Sequence, residues 1–415
     1  MIRDYIFIKV LQIIQKHGPV DKSTIAASLN VSMMTVNKVV NELLEKSIVQ
    51  KSGKVRGKSG RGSDLFRLNP DLFTAIGMSV DEESIIIAAV KPDGSIISHS
   101  KYSDGIREWF RSAESIVEAI VEHYKFFIKN AGINQEEIMA VGIAPHGIID
   151  TGNGRCIMGT HLGGIVDLNL RDTLTRSFKA PVFVDDPARS LAYYERKYGS
   201  GRDVNNFIYL FIDLGVGSGV VINGDIYLGA SGMSGEVGHI IVDDSGERCK
   251  CGNYGCLETV ASIENIVRQF REGIEAGVLT RIVDLCEGDV NRIDLDVIKN
   301  AAESGDKFTH SVLDSVGNKL GRALSIVITL FNPELVLIGG RVAMLTPYLI
   351  EPVQREIKYR ALNPMNNQVP IMSVDYSEIK NCVSVAIEAS DMLLQNYDFV
   401  KSMRYTYFQN VCRRG

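Results

Sequence analysis

The chain has 415 residues, 45% of them hydrophobic, enough for two or three domains with substantial cores. No apolar run approaches the roughly 18 residues of a membrane span, and the opening "MIRDYIFIKVLQIIQKHG" carries charge at Arg3, Asp4, Lys9 and Lys16 without a small-residue cleavage site; the chain reads as cytoplasmic, with no membrane partner. The net charge of -5 conceals an asymmetry: residues 1–70 hold twelve Lys/Arg and five Asp/Glu, the rest carries -12, and only the head suits nucleic acid.

From Tyr5 to Ile14 apolar residues recur at helical spacing, and Gly18 and Pro19 then break the helix. A short helix, "KSTIAASL", follows; Asn30 sits in the turn and Ser32 can cap a second helix, "MMTVNKVVNELLEKS". Two helices joined by a tight turn fit a helix-turn-helix. Val36, Val39, Val40, Leu43 and Leu44 form the apolar stripe of the second helix, leaving Ser32, Met33, Met34, Thr35, Asn37 and Lys38 to face outward. In such a motif Asn pairs with adenine, Met packs on a thymine methyl, and Thr or Lys holds phosphate. The next segment places Lys51, Lys54, Arg56, Lys58, Arg61 and Arg67 in a glycine-rich stretch between two strand-like pieces, which fits the wing of a winged helix tracking the DNA backbone. A small protein-interaction domain with a solvated basic loop is the competing reading.

From Phe73 onward strand-like runs alternate with helices: "FTAIGMSV", "SIIIAAV", "GSIISHS", a helix over about 112–130, then "IMAVGIAP". A second cycle begins near Asn206 with "FIYLFIDLGVGSGVVINGDIYLG", and a helical stretch from about 260 to 331 leads to "LVLIGG". Both halves open with a strand, a turn, a strand and a hairpin. This duplication predicts two α/β lobes facing a cleft.

Three of the seven cysteines, Cys249, Cys251 and Cys256, crowd together, which in a reducing compartment favours a metal over disulfides. With Gly235-Glu236-x-Gly238-His239 before them and Glu258 after, they resemble the signature of the ROK family of repressors, open reading frames and sugar kinases. The resemblance continues through "DLGVGSGVVINGDIYLGASGMSGE", "VFVDDPARS" and "NPELVLIGG", and with the head it covers the full chain. It implies an α/β fold class: an N-terminal winged helix-turn-helix plus a two-lobed sugar kinase/actin-like, ribonuclease H-like body. The expected units are 1–70, the head; 71–195, the first lobe, joined by about 385–415; and 196–384, the second lobe.

The resemblance also implies a structural zinc (Zn2+) on His239, Cys249, Cys251 and Cys256. A Cys3His set closes a tetrahedral shell and leaves no position for water. Three buried thiols and a core histidine are the alternative. By the same resemblance Asp185, Asp186, Glu236, His239 and Glu258 contact a monosaccharide, with Asp186 at the place of the kinase base. Glu258 as a helix cap and Asp186 as a strand-end residue are the plainer readings.

The kinase pattern breaks at the phosphates. Kinases of the family carry an Asp-x-Gly-Gly-Thr loop where this chain reads "GMSVDEES", residues 77–84, putting Asp81, Glu82 and Glu83 beside a triphosphate. The second loop, Asp213-Leu214-Gly215-Val216-Gly217, has Val216 for the family's Thr. Further departures are Asp185 for Asn, His146-Gly147 for Pro-Gly and His161 for Asn; either histidine reads equally as a surface residue or a ligand contact. The expectation is a sugar-responsive, non-enzymatic repressor of carbohydrate-utilisation genes, a homodimer or tetramer on double-stranded operator DNA, released by a monosaccharide or derivative. The rivals are an ATP-dependent hexose kinase with a fused DNA-binding domain, and a repressor titrated by a protein. The aromatic tail "NYDFVKSMRYTYFQNVCRRG" is expected to pack back on the first lobe or the head, or to form an ordinary terminal helix.

Overall fold

The three apolar-periodic segments of the head form helices α1 (Ile2–His17), α2 (Lys22–Leu29) and α3 (Met33–Glu45) in a computed structural model that describes residues 2–56, 62–362 and 369–402. Local chemistry sets their ends. Asp21 accepts from the amides of Ser23 and Thr24 to start α2, Asn30 ends it in the left-handed region at φ 52°, and Ser32 accepts from Thr35 to start α3. Val36, Val39, Val40 and Leu43 are buried, while Leu44, at the edge of the stripe, is only half-buried. Strands β1 (Val20–Asp21), β2 (Val49–Arg56) and β3 (Gly62–Leu68) make a sheet of order β1-β3-β2 against the helices. Arg56 ends β2; Lys58 and Arg61 lie outside the described residues.

The body is built on two five-stranded sheets. The first takes β4 (Thr74–Val80), β5 (Ile85–Val90), β6 (Ile96–Tyr102) and β7 (Ile138–Pro145). A side sheet follows from β8 (Ile148–Asp150), β9 (Arg155–Met158) and β10 (Val166–Asn169), before β11 (Val182–Val184) completes the first. The second contains β12 (Phe207–Ile212), β13 (Val216–Ile222), β14 (Asp225–Ile226), β15 (Leu335–Gly339) and β16 (Ile371–Ser373). Their orders, β11-β7-β4-β5-β6 and β14-β13-β12-β15-β16, are the same path. In each the opening strand pairs antiparallel with the second and parallel with the fourth.

Runs such as "IIIAAV" and "FIYLFI" are buried throughout because helices cover both faces of each sheet. Alternate residues of β12 divide between two cores: Ile208, Leu210 and Ile212 face the helices of the 258–361 region, while Phe207, Tyr209 and Phe211 face the Pro187–Tyr198 helix. The Glu378–Gln395 helix lies on the first sheet and touches the Pro187–Tyr198 helix. It comes so close that a Cβ on Gly77 would stand 1.8 Å from the Cys382 carbonyl oxygen, and one on Gly142 2.2 Å from that of Val385.

The strand β4 also corrects the reading of 77–84 as a loop. Gly77–Val80 are paired on both sides inside the sheet, and only Asp81–Ser84 turn, with buried Asp81 accepting from the amides of Glu83 and Ser84. At the other end of the chain, the Tyr397–Ser402 helix returns to the head: the Tyr397 and Phe7 rings lie 5.6 Å apart, and Lys46 Nζ donates to the Lys401 carbonyl. Residues 403–415 lie outside the described residues. Among the described residues no helix is long and apolar enough to cross a membrane.

Candidate functional site

At Gly235 the chain turns sharply against β13; φ is +93°, and a Cβ there would stand 2.0 Å from the Ser218 carbonyl oxygen. One 3-10 turn, Val237–His239, delivers His239, and the chain then loops through the cysteines to a short helix, Glu258–Ala261. Backbone bonds from Cys249 to Asn253, Gly255 to Glu247 and Leu257 to Ile240 tie the loop on itself. The ligand atoms of His239, Cys249, Cys251 and Cys256 all lie within 4.8 Å of one another. His239 Nδ1 is 3.7 Å from Cys249 Sγ, and Cys251 Sγ is 3.7 Å from Cys256 Sγ. Tetrahedral ligands with metal–sulfur bonds of about 2.3 Å are separated by about 3.8 Å. The four can therefore hold a metal ion.

The other ring nitrogen of His239, Nε2, points across to Glu236 Oε2 at 3.9 Å. There a cavity opens between the lobes, lined by Asp186, Glu236, His239, Glu258, His146 and His161 among others. Glu258 is set by the Val216 amide, which donates to its Oε2 at 3.0 Å. Gly215 permits the approach: a Cβ there would stand 3.0 Å from Glu258 Oε2 and 3.2 Å from His161 Nε2. Asp186 caps the Pro187–Tyr198 helix by accepting from Ala188 and Arg189. Burial, opposed by Arg189 and reinforced by Asp185, raises the Asp186 pKa; burial and then the Asp186 charge push Glu236 up to about 8. Burial depresses His161 to about 3, so its imidazole is neutral.

Asp185 behaves differently from the expectation. Its Oδ1 accepts from Thr151 Oγ1 at 2.6 Å, from Arg189 Nε at 2.7 Å and from the Asp186 amide at 2.7 Å, and the residue is absent from the lining of the cavity. It lies between the end of β11 and the capping Asp186, turned away from the cavity, where it anchors the buried Arg189. Behind it, burial and then the Asp185 charge raise the Glu388 pKa far above the carboxylate range, and Ser190 Oγ donates to Glu388 Oε2 at 2.9 Å.

A family model described as the ROK family matches residues 75–383. The chain belongs to the ROK family. It is 27% identical over 364 residues to the DNA-binding transcriptional dual regulator NagC of Escherichia coli strain K12, covering 88% of this chain and 87% of that one. It is 26% identical over 378 residues to the xylose repressor of Bacillus subtilis strain 168, covering 89% and 92%. Among solved structures, a ROK family transcriptional regulator described as a homolog of the E. coli MLC protein aligns at a TM-score of 0.81 and 25% identity, over 97% of this chain and 100% of that one. A ROK family glucokinase from Streptomyces griseus, in complex with glucose and AMPPNP, shares the fold at a TM-score of 0.66 and 24% identity, over 76% of this chain and 99% of that one.

On the other side of His161 the ROK cleft widens to about 990 Å3. Its floor holds a residue the sequence reading passed over. Arg341, following β15, donates from Nε and Nη2 to Asp213 Oδ1 at 2.9 and 2.6 Å, and its amide donates to Oδ2 at 3.0 Å. Arg341 also lies 3.9 Å from Glu83 and 4.0 Å from Glu378. The aspartate that opens the glycine turn after β12 is thus fully engaged by the chain itself.

In the head, Ser32, Met34, Asn37 and Lys38 are exposed, Met34 by 82%, while Thr35 is half-buried and bonded to Ser32 Oγ at 2.9 Å. Lys22 of α2 donates to Asn37 Oδ1 at 2.9 Å and to Asn41 Oδ1 at 3.2 Å. This lysine belongs to the same face. Helical spacing within α3 alone carried no signal for it.

Proposed function

We propose that this chain is a sugar-responsive transcriptional repressor of carbohydrate-utilisation genes: a winged helix-turn-helix on a ROK body, with a structural zinc on His239, Cys249, Cys251 and Cys256. Its units are 1–70, 71–195 joined by about 385–415, and 196–384. The observation that carries the reading is one continuous apolar core, in which Val36, Val40 and Leu43 of α3, Phe7 and Leu11 of α1, and Ala386, Leu393 and Leu394 of the Glu378–Gln395 helix all take part. The base-reading helix is packed through that core onto the lobe that bears Asp186. Similarity to regulators over nearly the whole chain supports the same reading.

Ser32, Met34, Thr35, Asn37 and Lys38 meet the major groove, with Arg56, Lys58 and Arg61 on the backbone beside it. Two copies place two such helices on a two-fold operator. A sugar held by Asp186, Glu236, His239 and Glu258 closes the cleft, with Asp185 positioning Asp186. The ligand acts only by preferring the closed, DNA-incompetent form. We read the body as non-catalytic, supported by the engagement of Asp213 by Arg341 and by the acidic Asp81–Ser84 turn.

The test is selection of bound duplexes from a random pool, then titration of the selected duplex with monosaccharides, with and without Mg-ATP. Enrichment of a two-fold sequence and its release by one sugar is expected, without ADP formation. ADP formation without enrichment would replace the repressor with a hexose kinase. On the selected duplex, Asn37→Ala is expected to weaken binding about tenfold and relax one base position, and Lys38→Ala to weaken all sequences alike and reduce the salt slope by about 1. Filter-binding titrations at several salt concentrations separate the two effects.

A further inference from the structure

Two buried imidazoles face the cavity without a partner. His146 and His161 are 6% and 5% exposed, and in each Nε2 is buried and lacks a hydrogen-bond partner among the described residues. His146 Nε2 lies 4.0 Å from Asp81 Oδ2, beyond hydrogen-bond reach. Burying such a nitrogen unpaired is costly, and a folded chain retains it where a ligand atom completes the bond. Both residues line the cavity of Asp186, Glu236 and Glu258, and His161 lines the wider cleft as well.

Their mounting is rigid. The His146 amide donates to the Val80 carbonyl at 3.0 Å, the His161 amide to the His146 carbonyl at 3.4 Å, and the Glu82 amide to the His161 carbonyl at 3.0 Å. The two rings are held by the end of β4 and the turn after it, which also carries Glu82 and Glu83 to the rim of the wider cleft.

The charge inventory of the cavity restricts what can sit between them. Its lining holds three carboxylates and three histidines, and no lysine or arginine. Arg189 lies below, taken up by Asp185, Thr151 and the Ser234 carbonyl. A group leaving the cavity past His161 enters a cleft lined by six carboxylates, Glu82 and Glu83 among them, against three arginines, Arg107, Arg271 and Arg341, the last held by Asp213. A phosphate on the ligand would therefore lose its hydration with no cation inside the cavity and, beyond it, with carboxylates outnumbering arginines two to one.

We propose that His146 and His161 contact the effector through Nε2, and that the effector is an unphosphorylated sugar, neutral or bearing an amine, whose hydroxyls and amine donate to the carboxylates. This rests on the reading of the cavity as the sugar site.

Calorimetric titration of the full chain with matched pairs, glucose and glucose 6-phosphate, glucosamine and its 6-phosphate, and the same for the N-acetyl forms and for xylose against its 5-phosphate, tests the class. At least one unphosphorylated member is expected to bind at least tenfold more tightly than its phosphate. A phosphate that binds as tightly as its parent overturns the proposal and leaves the sugar site standing. Binding by no member of any pair removes the sugar site and the proposal together.

With the sugar that binds, His161→Leu and His146→Leu are each expected to lose tenfold or more in affinity while the ligand-free protein melts no lower than the parent. His161→Gln, whose amide reaches a similar distance, is expected to recover part of the loss. A folded His161→Leu or His146→Leu that binds as the parent does makes that imidazole structural and overturns its assignment. Should a leucine variant fail to fold, the phenylalanine variant, which supplies a flat aromatic ring without the nitrogens, decides the same question by the same affinity ratio.

Discussion

Cys251→Ser and Cys256→Ser are each expected to empty the metal site and to lower sugar affinity tenfold or more, whereas Cys286→Ser, another buried free cysteine, retains both. The reason lies in what the loop connects. Between His239 and Glu258 the chain has no helix and only two isolated bridges, Ile241 with Cys256 and Arg248 with Tyr254. Its two ends supply cavity residues: His239 at one, Glu258 at the other. Zinc across the four ligands would pin both ends to one point, and its binding energy would become folding energy of the loop. Without a ligand set, Glu258 keeps its bond from Val216, but the cysteines just before the helix it opens are no longer tied to His239. Zinc content by atomic absorption and sugar affinity by calorimetry are the readouts. A Cys256→Ser protein that is zinc-free yet binds sugar as the parent does would separate the metal from the pocket.

Asp391→Ala is expected to destabilise the protein by about 3–5 kcal/mol, the usual cost of leaving a buried charge without its partner. Asp391 and Lys197 are 3% and 8% exposed and meet at 2.5 Å between the Glu378–Gln395 and Pro187–Tyr198 helices. Tyr193 Oη donates to Asp391 Oδ2 at 2.6 Å, and Gln15 Nε2 of α1 donates to Oδ1 at 3.2 Å. One carboxylate therefore joins both lobes and the head. The double replacement Asp391→Leu with Lys197→Met is expected to regain most of the stability, since the charge is then removed from both sides, but to respond less to sugar because Gln15 has lost its acceptor. Urea unfolding measures the first effect, and sugar-dependent duplex release the second. An Asp391→Ala protein with the parental urea midpoint would show that the pair contributes nothing, and a double variant with parental release would take the coupling elsewhere.

Much of the body was legible because its signals are local. The runs "IIIAAV" and "FIYLFI" are apolar at every position and form strands covered on both faces, and the repeated strand-turn-strand opening matches the shared sheet path. The cap Ser32 acts within three residues of itself, so α3 begins where that residue places it. The site was less legible. Asp185 and Asp186 are adjacent carboxylates of one motif, and nothing in their types says which faces the cavity; Thr151 and Arg189 hold one of them away from it while the other caps a helix at its edge. Arg341 and Lys22 passed unnoticed because their partners, Asp213 and Asn37, lie 128 and 15 residues away.

The sequence by itself determined the family, the two strand-helix cycles of the body, the four residues that could hold a metal ion and the basic character of the head. Each depends on residue type at short spacing, which folding does not alter. The tertiary structure decided what faces what. It buried Lys197, Asp391 and Glu388 where two helices meet and Arg189 beneath the cavity, and it left Nε2 of His146 and of His161 without a partner among the described residues in a cavity that holds three carboxylates. Those outcomes depend on which distant surfaces meet, because the cost or benefit of a buried polar group is set by the partner it finds and not by its own chain neighbours.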